Sequence, residues 1–220
     1  MKKDIEVRYI NTELRANTET REITGYAIVF NTESENLGNF IEVIDRDAVT
    51  PELIANSDIK LLYNHDEMQG ILARSKRGKG TLNISIDERG VKYSAILPNT
   101  TLGNDVLESI RRGDLDSCSF AFTLDTNGDN WTKIKDNLYK RTITKFSELF
   151  DFSVVVTPAY SSTSVSARAL DKIKELEQKE LLELDLDAEK QENQRKAQEQ
   201  LEKDKAFNEY YNRLKCKYLK

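Results

Sequence analysis

The chain has 220 residues, which is enough for one domain of ordinary size and an appendage. Its 38 Asp and Glu residues outnumber 33 Lys and Arg residues, and the resulting net charge of −5 argues against a nucleic-acid-binding protein. No run in the sequence approaches the roughly 18 apolar residues of a membrane-spanning helix, so we expect neither nucleic acid nor a membrane among its partners.

The first 168 residues alternate short apolar runs with turn signals such as Arg89-Gly90, a pattern typical of β-structure. Two helices interrupt the strands, one over 50–57 with Thr50 as its N-cap and one over 102–112 that stops at Gly113. Strands are predicted over Ile5–Ile10, Glu22–Phe30, Phe40–Ile44, Ile59–Tyr63, Leu82–Ile86, Val91–Leu97, Cys118–Leu124, Leu138–Thr144 and Leu149–Val156. This pattern predicts an α+β, mainly β fold: a closed or nearly closed β-barrel with a few short helices.

The chain has a single histidine, His65, which follows the apolar run Leu61-Leu62-Tyr63. A histidine at the end of a strand commonly caps a loop. If the protein needs a general base that works near neutral pH, however, His65 is the only imidazole available. One histidine and two cysteines, Cys118 and Cys216, favour neither a zinc site nor a disulfide framework. Because the first residues also lack the apolar core of a secretory signal, we expect an intracellular protein with reduced thiols.

The predicted strand over 118–124 has two different faces. Alternation places Cys118, Phe120 and Phe122 on one apolar face, which we assign to the core. The small residues Ser117 and Ser119 share the other face, which leaves room for another chain to lie against a serine. The same pattern also fits a half-exposed strand with polar residues facing water, and alternation alone does not separate the two interpretations.

Two carboxylates, Glu148 and Asp151, lie in or next to the last strongly apolar strand. In an unbroken strand Glu148 would share a face with Phe152, where burial among apolar groups would be costly. Asp151 would share the opposite face with Leu149 and Ser153, and it is the easier of the two carboxylates to present to a site. A β-bulge would reverse this parity.

The C-terminal part of the chain, residues 169–220, has a different composition. It contains neither Gly nor Pro, and 25 of the 51 residues from Leu170 onward are charged. Residues that favour helices dominate it, so we predict a long charged helical tail, with Asp185 and Asp187 marking a point where the helix could break. The apolar residues have helical spacing without a clean heptad, so the tail either packs on a partner or frays.

Five short motifs follow one another along the first part of the chain. They are Gly-Tyr-Ala-Ile-Val-Phe-Asn at 25–31, Leu-Gly-Asn-Phe-Ile-Glu-Val-Ile at 37–44, Leu-Leu-Tyr-Asn-His-Asp at 61–66, Arg-Gly-Asp-Leu at 112–115 with Ser-Phe-Ala-Phe at 119–122, and Phe-Asp-Phe-Ser-Val-Val at 150–155 with Pro-Ala-Tyr at 158–160. In this order they resemble motifs of the prohead maturation proteases of tailed bacteriophages, which are similar in fold to herpesvirus capsid-maturation proteases. The resemblance covers roughly residues 5–168.

The resemblance implies that Ser119 is a nucleophile, His65 its base and Asp151 the orienting carboxylate, with Glu148 as the alternative. It implies a serine endopeptidase that needs no metal or organic cofactor. Its expected substrates are the major capsid protein and the scaffold protein, inside the assembling prohead in the host cytoplasm. Self-cleavage and homo-oligomerisation are further expectations. We also expect a protease domain over 1–168 and an assembly role for the tail over 169–220.

Other possibilities stay open at this point. The protein would be a capsid scaffolding or assembly protein if its protease-like module does not cut. It would be a cysteine peptidase if Cys118 worked with His65, which requires the strand parity to shift by one residue. If the protein is a serine peptidase, two kinds of hydrogen-bond donor to the oxyanion remain possible, namely backbone amides over 153–157 and an arginine.

Overall fold

A computed structural model of the chain describes residues 4–10, 14–135, 137–156 and 164–218. The chain divides into two compact units, Met1–Arg168 and Ala169–Lys220. The described part of the first unit is mainly β, as predicted, and contains these elements: β1 (Glu6–Ile10), β2 (Arg15–Asn17), β3 (Glu22–Val29), β4 (Phe40–Ile44), α1 (Pro51–Asn56), β5 (Asp58–Tyr63), β6 (Ala73–Lys76), β7 (Lys79–Gly80), β8 (Leu82–Ile86), β9 (Gly90–Ile96), α2 (Thr101–Arg112), β10 (Ser117–Leu124), β11 (Asp129–Lys135), β12 (Leu138–Ile143) and β13 (Phe146–Val155).

The strands form three open sheets, so the predicted closed barrel is wrong. One sheet has six strands in the order β1-β10-β13-β5-β6-β7, the second has four in the order β2-β3-β9-β8, and the third has three in the order β11-β12-β4. A barrel requires one continuous staggered sheet whose first and last strands pair, and within the described residues β1 and β7 stay at opposite edges. Alternation in the sequence identifies half-buried strands but does not say which strands pair.

The core contains side chains from the six-stranded and the four-stranded sheets in one apolar cluster. The Tyr93 and Phe152 rings, one from each sheet, have centroids 6.0 Å apart. Cys118 and Phe120 are fully buried in the same cluster, so the predicted core face of β10 is confirmed. The opposite face of β10, with Ser117 and Ser119, is therefore the face available for chemistry.

Side-chain and glycine caps fix the ends of the two short helices, and both predicted helices are confirmed. Thr50 Oγ1 accepts the Leu53 N–H at 3.2 Å at the start of α1. Thr100 caps α2 in the same way, and Gly113 ends it in the left-handed region at φ 81°.

The C-terminal helix α3 (Ser164–Tyr218) is continuous, so the break expected near Asp185 and Asp187 is wrong. Both residues are exposed in a segment without Gly or Pro, where acidic side chains do not interrupt the backbone ladder. The Lys190 ammonium lies 3.4 Å from Asp187, an i,i+3 pair that adds a little to helix stability. Across the described residues, every helix is too short or too polar to span a membrane.

Candidate active site

Strand β13 lies between β10 and β5 and brings the three predicted site residues together. The β10–β13 pair is antiparallel and places Ser119 directly opposite Ser153. The β13–β5 pair is parallel and ends with Val154 opposite Tyr63. His65 follows Tyr63 by two residues, so the end of β5 delivers the imidazole to the part of β13 that faces Ser119.

A β-bulge at Phe150 places both Asp151 and Glu148 on the Ser119 face, so distance along the strand, and not the face, separates the two carboxylates. On β10 Ala121 pairs with Asp151, whereas the next residue, Phe122, pairs with Leu149, so Phe150 is an extra residue. Leu149 is therefore on the core face, and its predicted place beside Asp151 is wrong. The expectation that Glu148 would share a face with the core phenylalanines fails for the same reason, because the bulge reverses the parity that an unbroken strand would have.

The imidazole of His65 contacts both other site residues. Its Nδ1 lies 2.6 Å from Asp151 Oδ1, and its Nε2 lies 2.7 Å from Ser119 Oγ. A carboxylate only accepts hydrogen bonds, so Nδ1–H donates to Asp151 and Nε2 is free to accept the Ser119 hydroxyl proton. This tautomer is assigned from the hydrogen-bond pattern.

Two consecutive left-handed residues turn the chain so that the imidazole can reach β10. Asn64 has φ 52° and His65 has φ 60°, and non-glycine residues in unfavourable backbone regions cost of order 1–3 kcal/mol each. Three hydrogen bonds to β13 and its end stabilise this turn. The Asn64 N–H donates to Val154 O at 3.0 Å, the Val156 N–H donates to Asn64 Oδ1 at 3.1 Å, and the His65 N–H donates to Ser153 Oγ at 3.2 Å.

Burial differs among the three residues. Ser119 and Asp151 are buried, with 3% and 8% exposure, whereas 26% of the His65 side chain is exposed. Ser119 Oγ also lies 3.0 Å from the carbonyl oxygen of Arg8 in β1, which competes with His65 for the hydroxyl proton. Ser117 has separate partners, because its Oγ lies 2.6 Å from Tyr9 Oη and within hydrogen-bond distance of Asp116.

Cys118 lies on the opposite face of β10 and does not join this site. Its side chain is fully buried, and Sγ is 3.0 Å from the Tyr93 hydroxyl. Burial outweighs the hydrogen bond from Tyr93 and raises the pKa of the Cys118 thiol to about 12. A neutral thiol turned away from His65 is not a peptidase nucleophile, since the thiolate is the reactive form.

A buried ionic network lies next to the site, and sequence reasoning missed it. The Arg8 guanidinium contacts Glu42 at 2.7 Å and Glu6 at 2.8 Å, and Arg141 contacts the same Glu6 at 2.7 Å and Glu42 at 3.0 Å. Arg141 also contacts Asp129 at 2.6 Å. The network joins β1 to the three-stranded sheet. In the sequence, the only indication of a buried ion pair is a charged residue inside an otherwise apolar strand, such as Phe40–Ile44.

Burial alone would raise the pKa of Glu6. The hydrogen bonds and positive charges of Arg141 and Arg8 outweigh that effect and hold the Glu6 pKa below its ordinary value. Glu6 is therefore a carboxylate that the folded state keeps ionised within β1, the strand whose Arg8 carbonyl contacts Ser119.

Comparison with known proteins gives a family match that includes all three site residues. A family model described as caudovirus prohead serine protease matches residues 5–179. No curated protein matches the chain. Among solved structures, the chain is similar to the bacteriophage T4 capsid assembly protease gp21, with 12% identity, a TM-score of 0.43, and coverage of 72% of this chain and 100% of that chain. The Pro158-Ala159-Tyr160 part of the last motif lies outside the described residues.

Proposed function

The chain belongs to the caudovirus prohead serine protease family, and from that membership we propose that it is a serine endopeptidase of capsid maturation. Ser119 is the nucleophile, His65 the general base and Asp151 the orienting carboxylate. The observation that carries this assignment is the continuous set of contacts from Asp151 Oδ1 to His65 Nδ1, at 2.6 Å, and from His65 Nε2 to Ser119 Oγ, at 2.7 Å.

These contacts support a two-step acyl transfer. His65 Nε2 takes the hydroxyl proton while Ser119 Oγ attacks the scissile carbonyl, and Asp151 stabilises the imidazolium that forms. The imidazolium then gives the proton to the leaving amine, which leaves an acyl-enzyme on Ser119. Water, activated by the same imidazole, releases the acyl group and restores the hydroxyl.

The oxyanion of the tetrahedral intermediate needs hydrogen-bond donors, each of which typically contributes about 100- to 1000-fold in rate. The Val156 amide is excluded from this role, because it donates to Asn64 Oδ1 and so helps to hold the His65 turn. Ser153 pairs with β10 on one side and β5 on the other, which places its backbone inside the sheet. Thr157 lies outside the described residues.

The substrates under this proposal are the scaffold protein, the major capsid protein or both, met inside the assembling prohead in the host cytoplasm. Self-cleavage belongs to the same proposal, as does homo-oligomerisation that would bring two copies together. We assign residues 1–168 to the protease domain and residues 169–220 to a helical assembly segment. The exposure of large apolar side chains in that segment, among them Leu182, Leu201 and Phe207, supports a role in contacts with other proteins.

The test is co-expression with the capsid and scaffold proteins of the same phage, followed by intact-mass spectrometry of every product. Ser119→Ala should produce no fragments, whereas the wild type and the control Ser117→Ala should both produce them. Ser117 is a suitable control because it is equally buried on the same strand face and has partners other than His65. Fragments from folded Ser119→Ala would refute the mechanism, and intact products from folded wild type would favour a non-cutting scaffold protein.

A further inference from the structure

Ser153 contacts two of the three proposed catalytic residues and has no role in the mechanism above. We propose that Ser153 is a positioning residue that fixes the Asp151 carboxylate and the His65 backbone relative to Ser119. The inference rests on the proposed function, because positioning matters for rate only if the three residues catalyse a reaction. The hydroxyl lies 3.3 Å from His65 Nδ1, so it acts on the proton-accepting Nε2 only through the ring.

The hydrogen bonds of Ser153 have a defined direction. Its Oγ lies 2.7 Å from Asp151 Oδ1, 3.2 Å from the His65 backbone nitrogen and 3.3 Å from His65 Nδ1. The hydroxyl has one proton, which it must donate to Asp151 because a carboxylate only accepts. A lone pair of the same oxygen then accepts the His65 N–H. One side chain thus joins the base and its orienting carboxylate.

The Asp151 oxygen that accepts the Ser153 hydroxyl is the same oxygen that contacts the imidazole. Asp151 Oδ1 accepts both the Ser153 hydroxyl and the His65 Nδ1–H, the latter at 2.6 Å. Asp151 and Ser153 are two residues apart in β13 and so lie on one face of the strand. Without the Ser153 donor, the carboxylate loses a buried hydrogen bond and can rotate away from Nδ1.

The second contact of Ser153 supports an unfavourable backbone conformation. His65 is left-handed at φ 60°, and its N–H donates to Ser153 Oγ. Ser153 is fully buried, so water does not replace that acceptor without a rearrangement. Loss of the hydroxyl would therefore leave a backbone donor without its partner at the residue that carries the imidazole.

A matched control separates positioning from the general cost of deleting a buried hydroxyl. Ser57 is also buried, and its Oγ donates to Leu53 O at 2.7 Å and accepts the Leu149 N–H at 3.4 Å. Neither partner is a proposed catalytic residue. Ser57→Ala thus removes a buried hydroxyl with two hydrogen bonds while the His65 contacts stay in place.

The imidazole can be observed directly, because His65 is the only histidine in the chain. The protein is labelled with ¹⁵N-histidine and carries Ser119→Ala, which makes it inactive. With Ser153 intact, this protein should show one Nδ1–H signal shifted downfield by the Asp151 hydrogen bond. Adding Ser153→Ala should move or broaden that signal, and adding Ser57→Ala should leave it unchanged. The His65 backbone amide should exchange slowly with solvent when Ser153 is present, a measurement that requires no variant at position 153.

In the active enzyme, Ser153→Ala should lower kcat roughly 10- to 100-fold, the range expected for one hydrogen bond to a charged group, with little change in KM. Ser57→Ala should leave both constants close to wild type. An unchanged His65 spectrum and kcat in folded Ser153→Ala, or a rapidly exchanging His65 amide, would overturn the positioning role. If the wild type cuts nothing, the proposed function fails, while the spectra and the amide exchange still decide whether Ser153 holds the His65–Asp151 pair.

Discussion

Asp151 lies opposite Ala121 on β10, two residue pairs away from the directly opposed Ser119 and Ser153. Glu148 lies opposite Thr123. Thr123 is four residues from Ser119 along β10, or about 13 Å at ~3.3 Å per residue. The contact between Asp151 Oδ1 and His65 Nδ1 follows from this register, because the turn after β5 brings the imidazole within reach of both Ser119 and Asp151. The register therefore favours Asp151 over Glu148 as the orienting carboxylate.

Substitution of the two carboxylates should show this difference in rate. Asp151→Asn should lower kcat by about 10⁴-fold, because an amide favours the wrong imidazole tautomer and does not stabilise the imidazolium. Glu148→Gln should leave kcat near the wild-type value. The measurement is steady-state kinetics on a peptide that contains a cleavage junction identified by mass spectrometry. The opposite ranking of the two variants would assign the role to Glu148.

Thiol reagents should not inhibit the enzyme. In a Cys216→Ser background the remaining thiol is Cys118, which is fully buried with a pKa of about 12 and so contains almost no thiolate at about pH 8. We expect no labelling by a thiol-specific chromogenic reagent in the native state and full labelling in urea. Peptidase activity should survive the native-state treatment. Rapid labelling accompanied by loss of activity would revive the cysteine peptidase alternative.

Much of the local structure could be predicted because it depends on short-range chemistry. Thr50, Thr100 and Gly113 bound helices through caps that involve only nearby residues, and the apolar alternation around Phe120 identified the core face of β10. Strands such as β7 (Lys79–Gly80) were missed because they are short and polar, with no alternation to detect. The seven-residue strand β11 was missed because it is exposed and mostly polar.

The features that could not be predicted depend on pairing between distant segments. The bulge at Phe150 exists because Leu149 and Phe152 both pack into the core opposite β10, which alternation along one strand does not reveal. The parallel pairing of β13 with β5 brings His65 to Ser153 across 88 residues. Arg141 has a sequence context typical of an exposed residue, yet it is almost fully buried because Glu6 and Glu42 come from other strands.

The buried network should be essential for stability. Arg141→Leu leaves Glu6 and Glu42 with less positive charge around them, and loss of one partner from a buried pair typically costs about 3–5 kcal/mol. The control is Arg111→Leu, which removes an arginine from an ion pair with Glu108 in which both side chains are 53% exposed. That exposed pair should contribute at most about 1 kcal/mol. Urea unfolding of both variants at neutral pH measures the difference, and equal losses would contradict the network's role.

Acid should weaken the same network through Glu6. The folded-state pKa of Glu6 lies below its ordinary value of 4.5, so its stabilisation is fully present above that value and is lost as the pH falls through the lowered one. The stability advantage of wild type over Glu6→Gln should therefore shrink as the pH falls from about 6 to about 3. Glu108→Gln, at an exposed ion pair, should show a much smaller change. A constant difference between wild type and Glu6→Gln across this range would refute the prediction.

Truncation should separate the proposed assembly role of the tail from catalysis. A stop after Lys179 retains all the residues matched by the family and removes a helical segment whose described side chains are exposed. Because that segment has little buried apolar surface, its loss should cost the protease domain little free energy of unfolding. We expect the truncated enzyme to cleave a junction peptide at the wild-type rate but to enter particles less often. Full-length Ser119→Ala should enter them normally, and normal incorporation of the truncated enzyme would remove the tail from the assembly proposal.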